Sequence, residues 1–240
     1  MGVKERHDRQ RDAVRQAILQ AARELFVADG YLHVSLRKIA ERVEYSPAAI
    51  YGYFESKDDI FLALGEEGFR LLFARIERQP PPSENPLDAV RHICWSLYEF
   101  SKEHPEYFAL LFLERAVPRI SRDWQRFGFV CQMRDRAHDI VRRCVAAGDF
   151  PPHTDPAAVF RLLVTGMKGV AGMRLSDRLA PGEDADALAR DMLETLIAGL
   201  RSGRRLLFED RMSESDAVVA SGEGAAAAAA VATERVGRRT

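Results

Sequence analysis

"SLRKIAERVEYSPAAIYGYFESK", residues 35–57, decides how this chain is read. Two short apolar patterns flank Glu44-Tyr45. The first places Leu36, Ile39, Ala40 and Val43 on one helical face behind Ser35, a residue type that caps the free N–H groups of a first turn. The second opens on Ser46-Pro47, a capping serine followed by a proline at the first helical position, where it has no N–H to lose. It closes with three aromatics in four residues, Tyr51, Tyr53 and Phe54. So short a helix does not stand alone in water, because nucleation costs more than two turns return. Neighbouring helices must hold it.

Two short helices across a tight turn fit a helix-turn-helix. In that motif the second helix enters the major groove of DNA with its N-terminal residues at base edges. Ile50 and Phe54 then face the supporting helices. Ala48 and Ala49 let the backbone approach bases closely and offer methyl groups to thymine. Tyrosine hydroxyls and the Lys57 ammonium suit phosphate oxygens. Lys57 also lies near the N-terminus of the following helix, whose free N–H groups favour anions. Two adjacent core helices are the competing reading. Charge does not choose between them, since Arg37, Lys38, Arg42 and Lys57 stand against Glu41, Glu44 and Glu55.

Outward from this segment the periodicity is helical almost throughout. Val14, Ile18, Ala21, Ala22, Leu25 and Phe26 share one face of a first helix that stops at Gly30. Ser56-Lys57-Asp58-Asp59 reads as a capping box, opening a fourth helix to about Arg78. "QPPPSENP", residues 79–86, breaks the chain, and Pro86 starts the next helix. An amphipathic helix runs to Pro105, and "PEYFALLFLER" makes a short, very apolar one. Helices follow over Ser121–Val145, from Asp155-Pro156 to about Leu175, and over 184–208. Residues 213–240 carry Ala, Gly and charge without a core pattern and read as a disordered tail.

The segment from about Arg11 to Leu72 resembles the TetR family of bacterial transcriptional regulators. "ILQAARELFVADGY", "SLRKIAERV", "YSPAAIYGYF" and "ESKDDIFLAL" stand in the family's order and at its distances. The resemblance implies an all-α homodimer. An N-terminal helix-turn-helix domain, 11–72 with its motif at 35–54, is joined to a larger ligand-binding and dimerisation domain, 86–208. It implies that Ser35, Tyr51 and Lys57 contact phosphates, and that Tyr45, Ser46, Pro47, Ala48, Ala49 and Tyr53 lie near bases. Two departures stand out. Glu44 occupies a turn position where the family often has glycine, and Gly52 sits inside the recognition helix.

The larger domain resembles the family's regulatory domain more weakly. Lys168-Gly169 stands where many members carry His-Gly. Gly166, Gly169 and Gly172 are the candidate dimer contacts, with packing inside one subunit as the alternative. Trp95, Tyr98, Phe108, Phe112, Trp124, Phe127, Cys131 and His138 are candidates for lining a ligand pocket, since pockets are mostly apolar with a few polar anchors. Plain core is the alternative for each. One helix, about Ser56 to Arg78, is expected to lever the head against this domain.

The chain has 240 residues, 47% hydrophobic and 30% charged, with a net charge of -1. Such a balance announces no global field toward nucleic acid or membrane. The three cysteines, Cys94, Cys131 and Cys144, are odd in number and widely spaced, which suggests reduced thiols and a cytoplasmic protein. The N-terminus has no apolar signal region, and no run of 18 apolar residues suggests a membrane span. No metal, phosphate-loop or nucleophile motif appears, so neither an enzyme nor a cofactor is expected. The expected partners are double-stranded DNA with a palindromic operator, a second copy of the chain, and an apolar or aromatic small-molecule effector. The function implied is a repressor that the effector releases. The alternative is a dimeric ligand-sensing module without specific DNA recognition.

Overall fold

Capping residues mark where the helices of this chain begin. The structure, a computed structural model, describes residues 3–114, 128–204 and 206–208. Helix α1 (Val3–Asp29) is followed by a 3-10 turn at Tyr31–His33. Then come α2 (Leu36–Arg42), α3 (Pro47–Tyr51) and α4 (Lys57–Arg78). The hydroxyl oxygens of Ser35, Ser46 and Ser56 accept the N–H groups of Lys38, Ala49 and Asp59 at 3.2, 3.2 and 3.1 Å, closing the first turn of each. Next are α5 (Pro86–Glu103), α6 (Pro105–Phe112), α7 (Gly128–Ala146), α8 (Pro156–Leu175) and α9 (Ala185–Arg201). Asn85, Asp155 and Asp184 cap α5, α8 and α9 in the same way. Proline opens α3, α5, α6 and α8, where its missing N–H costs nothing. Among the described residues there is no strand. No helix among them is long and apolar enough to cross a membrane.

Ile18, Phe26, Ile39, Ile50, Ile60 and Phe61 are almost wholly buried where α1 to α4 meet. This explains how a five-residue α3 persists: its one fully buried side chain, Ile50, is inserted among longer helices. In the larger part, α5 is the central element and packs on α4, α6, α7, α8 and α9. Tyr98, Phe100, Phe108, Cys144, Leu163 and Met167 form its interior. Polar ties fix the outer helices onto it. Arg91 of α5 grips Glu194 of α9 with two prongs, at 2.7 and 2.9 Å. The Tyr98 hydroxyl and the Lys102 ammonium both donate to Asp186, each at 2.9 Å.

Helix α1 begins at Val3, ahead of the apolar face that opens at Val14. The structure corrects the sequence reading in three places. Helix α9 ends at Arg201, not 208. Gly203 adopts φ 81° there, a left-handed conformation that side-chain-bearing residues resist, and Leu207 beyond it is 96% exposed. Gly52 is the C-terminal cap of α3 and does not lie inside it. The head is also held by more than α4, because α6 packs on α1 as well. Arg23 of α1 lies 3.6 Å from Glu106 and 4.8 Å from the ring centre of Tyr107, both on α6. Gly68 of α4 faces α6 so closely that a Cβ there would stand 2.9 Å from Leu111 and 3.0 Å from Tyr107. The first part of the expected 121–145 helix, the pocket candidates Trp124 and Phe127, and the 213–240 tail lie outside the described residues.

Candidate nucleic-acid interface and ligand cavity

The α2–α3 turn is made by one residue in an unusual conformation. Helix α2 stops at Arg42, Val43 caps it, and Glu44 takes φ 59°. Tyr45 N–H then returns to the Ala40 carbonyl at 3.0 Å. Glu44 therefore bends the backbone as a glycine would, at a steric cost a glycine avoids. Glu44 remains exposed.

Helix α3 presents a clear division of faces. Ile50 and Phe54 point inward, at 0% and 5% exposure. Tyr45, Ser46, Pro47, Ala48 and Tyr51 are exposed, and Ala49 is half-buried. The two outward tyrosines, Tyr45 and Tyr51, are large rings left 43% and 59% exposed. Tyr53 differs from them, being half-buried and packed against the core. Ser35 is exposed with its oxygen engaged at the α2 cap.

Lys57 is half-buried, and its ammonium donates to the Tyr31 carbonyl at 2.7 Å. It also lies 4.1 Å from the centre of the Tyr31 ring. The Tyr31 hydroxyl donates to Asp58, and burial together with that bond pushes its pKa well above the usual phenol range. The other basic residues of the motif are paired. Lys38 meets Asp29 at 2.8 Å, Arg42 meets Glu24 at 3.0 Å, and Arg37 meets Glu41 at 3.0 Å. Sequence reading missed these pairs with α1, because their partners lie outside the motif.

A second site lies in the larger part of the chain. A cavity of about 230 Å³ opens between α4, α5, α7 and α8, with Phe112 of α6 in its wall. Its lining is mostly aliphatic and aromatic, including Phe69, Phe73, Leu97 and Phe160. The titratable groups on it are Arg134, His138, Arg161 and Lys168, and no carboxylate lines it among the described residues. The Lys168 ammonium sits 4.1 Å from the centre of the Phe112 ring. Burial, then the Arg161 charge, bring its pKa down to about 8.

Of the eight pocket candidates, Phe112 and His138 line this cavity. The others in the described residues do not. Tyr98 and Trp95 pack together at 5.2 Å between ring centres and turn toward α9, where Arg190 covers Trp95 at 5.0 Å. Phe108 is fully buried behind Phe112, their ring centres 5.0 Å apart, and Cys131 is half-buried on α7 outside the lining. Lys168 is the residue that sequence reading singled out without placing it here; its departure from His-Gly was the only signal.

The three glycines of α8 do different things. Gly166 faces α9, where a Cβ would meet the Met192 sulfur at 2.5 Å, so it serves packing inside the subunit. Gly172 is half-buried, with Leu113 3.4 Å from such a Cβ. Gly169 faces open space. It lies on one stripe with Leu162 and Met173, which are 37% and 41% exposed, and Leu188 of α9 is exposed at 40%.

This order of elements is matched by two family models. One, described as "Bacterial regulatory proteins, tetR family", covers residues 18–64; the other, described as "Tetracyclin repressor-like, C-terminal domain", covers residues 90–196. The chain belongs to the TetR family. Among curated TetR-like relatives, the uncharacterized HTH-type transcriptional regulator YuxN of Bacillus subtilis is 30% identical over 42% of this chain. That alignment takes in 35% of YuxN, so the chain spans about a third of that relative's length. The HTH-type transcriptional repressor KstR2 of Mycolicibacterium smegmatis is 26% identical over 62% of this chain and 73% of its own. Among solved structures, the fatty acid degradation regulator FadR of Bacillus halodurans superposes with a TM-score of 0.62. That match covers 78% of this chain and 96% of FadR at 17% identity, a likeness of fold alone.

Proposed function

We propose that this TetR-family chain is a cytoplasmic, homodimeric transcriptional repressor. It binds a palindromic operator through α2 and α3 and lets go when a small apolar or aromatic effector fills the cavity. The head corresponds to residues 11–72 and the regulatory part to 86–208. One observation carries the DNA reading: a five-residue helix is anchored by Ile50 and Phe54 while Tyr45, Ser46, Pro47, Ala48 and Tyr51 are left outward. A helix this short gains little by itself, and an exposed end bearing small residues and tyrosines fits a groove of bases and phosphates. Ser35, Tyr51 and Lys57 are assigned to phosphates. Tyr45, Ser46, Pro47, Ala48, Ala49 and Tyr53 are assigned to the base-proximal set. Two heads read half-sites about 34 Å apart, which requires a dimer. The outward stripe of Leu162, Gly169 and Met173 with Leu188 is the face assigned to it.

Effector and DNA are coupled through α6. Its last residue, Phe112, lines the cavity, and its first turn, at Glu106 and Tyr107, touches Arg23 of α1. A ligand that displaces Phe112 therefore acts on the head through α1 as well as along α4. The name of FadR connects that relative with fatty acid degradation, in keeping with an apolar effector here.

The decisive experiment is selection of bound sequences from a random DNA pool, followed by competition with unrelated DNA at rising salt. A recovered palindrome that competes far better than random DNA is the expected result. The paired bases of α2 favour a second reading, a ligand-sensing dimer without specific DNA recognition. It predicts that all sequences compete alike and that binding follows salt alone.

A further inference from the structure

Three cavity walls are electrostatically blank. Helices α4, α5 and α6 present only apolar side chains to the space, while α7 presents Arg134 and His138 and α8 presents Arg161 and Lys168. Arg134 has a carboxylate nearby, Asp135 at 3.6 Å. Lys168 has the face of Phe112 and, among the described residues, no hydrogen-bond acceptor or ion-pair partner. A ring face stabilises an ammonium but accepts none of its three N–H bonds. Lys168 is half-buried, and a charge partly withdrawn from water gains from a group that pairs with it and accepts its hydrogen bonds. Among the described residues, no group that could pair it lines the cavity.

We propose that the cavity takes a compact apolar acid, a carboxylate on an alkyl or aryl body, whose charge is held by Lys168. The proposal rests on the effector reading above and names the chemistry of that effector. The cavity's about 230 Å³ is a little under the roughly 300–1,000 Å³ usual for ligand pockets, which favours a short acid over a bulky one. The depressed lysine pKa, about 8, agrees with an ammonium that lacks its counter-ion. An arriving carboxylate raises it again, so the complex takes up a proton near that pH. Affinity for the acid then falls above about pH 8, approaching tenfold per pH unit, while a neutral ligand of the same shape shows no such fall. Arg134, His138 and Arg161 are the other titratable groups facing the space.

The test uses the full chain and two matched pairs: octanoate with 1-octanol, and 2-naphthoate with 2-naphthalenemethanol. The pairs distinguish an alkyl from an aryl body. Calorimetric titration is expected to show one acid binding about ten- to a hundredfold tighter than its alcohol, the range for a charged hydrogen bond. Lys168→Met is expected to erase that preference while keeping the alcohol's affinity, and Lys168→Arg to retain it. Should Lys168→Met fail to fold, proton uptake by the wild type at about pH 8 decides, being present with the acid and absent with the alcohol. Alcohols binding as well as acids, an acid preference that survives Lys168→Met, or no binding of either acid overturns the proposal. Acid-selective binding that leaves operator affinity unchanged supports it and instead sinks ligand-linked release. An alcohol that alone releases operator sinks the acid and leaves the regulator reading standing.

Discussion

The ammonium of Lys57 stands 2.7 Å from the carbonyl oxygen of Tyr31 and 4.1 Å from the centre of its ring. One side chain at the start of α4 thus ties down the turn that follows α1, while the next residue, Asp58, accepts the Tyr31 hydroxyl. A lysine assigned to a DNA phosphate already has a structural role in the free protein. Both roles are compatible, since an ammonium has three donors.

Lys57→Ala is therefore expected to do two things. It lowers stability by about 1 kcal/mol, through loss of a charged hydrogen bond and a cation–π contact at a half-buried site. It also weakens binding to all DNA and flattens the salt slope by about one unit. Thermal melts and binding at several salt concentrations separate the two. An unchanged salt slope beside a lowered melting temperature assigns Lys57 to structure alone.

Glu44 at φ 59° gives a prediction of the opposite sign. A side chain in the left-handed region costs roughly 1–2 kcal/mol, and glycine escapes that cost while losing some chain entropy. Glu44→Gly should raise unfolding stability by about 1 kcal/mol net and strengthen DNA binding by removing an exposed carboxylate. Glu44→Ala removes the charge and keeps the strain, so it should improve binding without the gain in stability. Equal denaturation midpoints for the two variants would show that the turn is not strained.

The glycines of α8 separate subunit packing from dimerisation. Gly166→Ala pushes a methyl into Met192 and Leu196 and should cost about 1–3 kcal/mol even in a monomer. Gly169→Ala meets nothing and should stabilise α8 by up to about 1 kcal/mol. Gly169→Glu should leave helix content intact and split the dimer, as read by light scattering at micromolar concentration. A Gly169→Glu protein that stays dimeric moves the interface elsewhere.

Lys168 makes the stability of the free protein depend on pH. The folded state lowers its pKa from the ordinary 10.5 to about 8, so between these values the unfolded chain binds more protons. Stability then rises with pH across that window. The penalty of the buried charge is fully present below about pH 8 and relieved above it. Wild type should gain on Lys168→Met as pH rises from about 8 to 10 in denaturant titrations. Parallel curves for the two proteins would mean that the ammonium is not penalised.

Helix starts are legible in the sequence because capping is local. Ser35, Ser46, Ser56 and Asp155 each act within a single turn, and the apolar spacing between caps sets the inward face. The motif at 35–54 and its family likeness follow from the same short-range rules. Tertiary structure decided what those rules leave open. Trp95 and Tyr98 face α9 and not the cavity because the rotation of α5 is set by all five helices packed on it. Leu206, Leu207 and Phe208 look like a continuing helix, yet Gly203 at φ 81° ends α9 first. The bases of α2 carry charge in the sequence and spend it on α1, through partners such as Glu24 and Asp29. Lys168 reads as a substitution on a helix until α6 brings Phe112 beneath it and α7 closes the space around it. Caps and periodicity lie within a few residues of each other, whereas the contents of a cavity depend on side chains brought together from five separate helices.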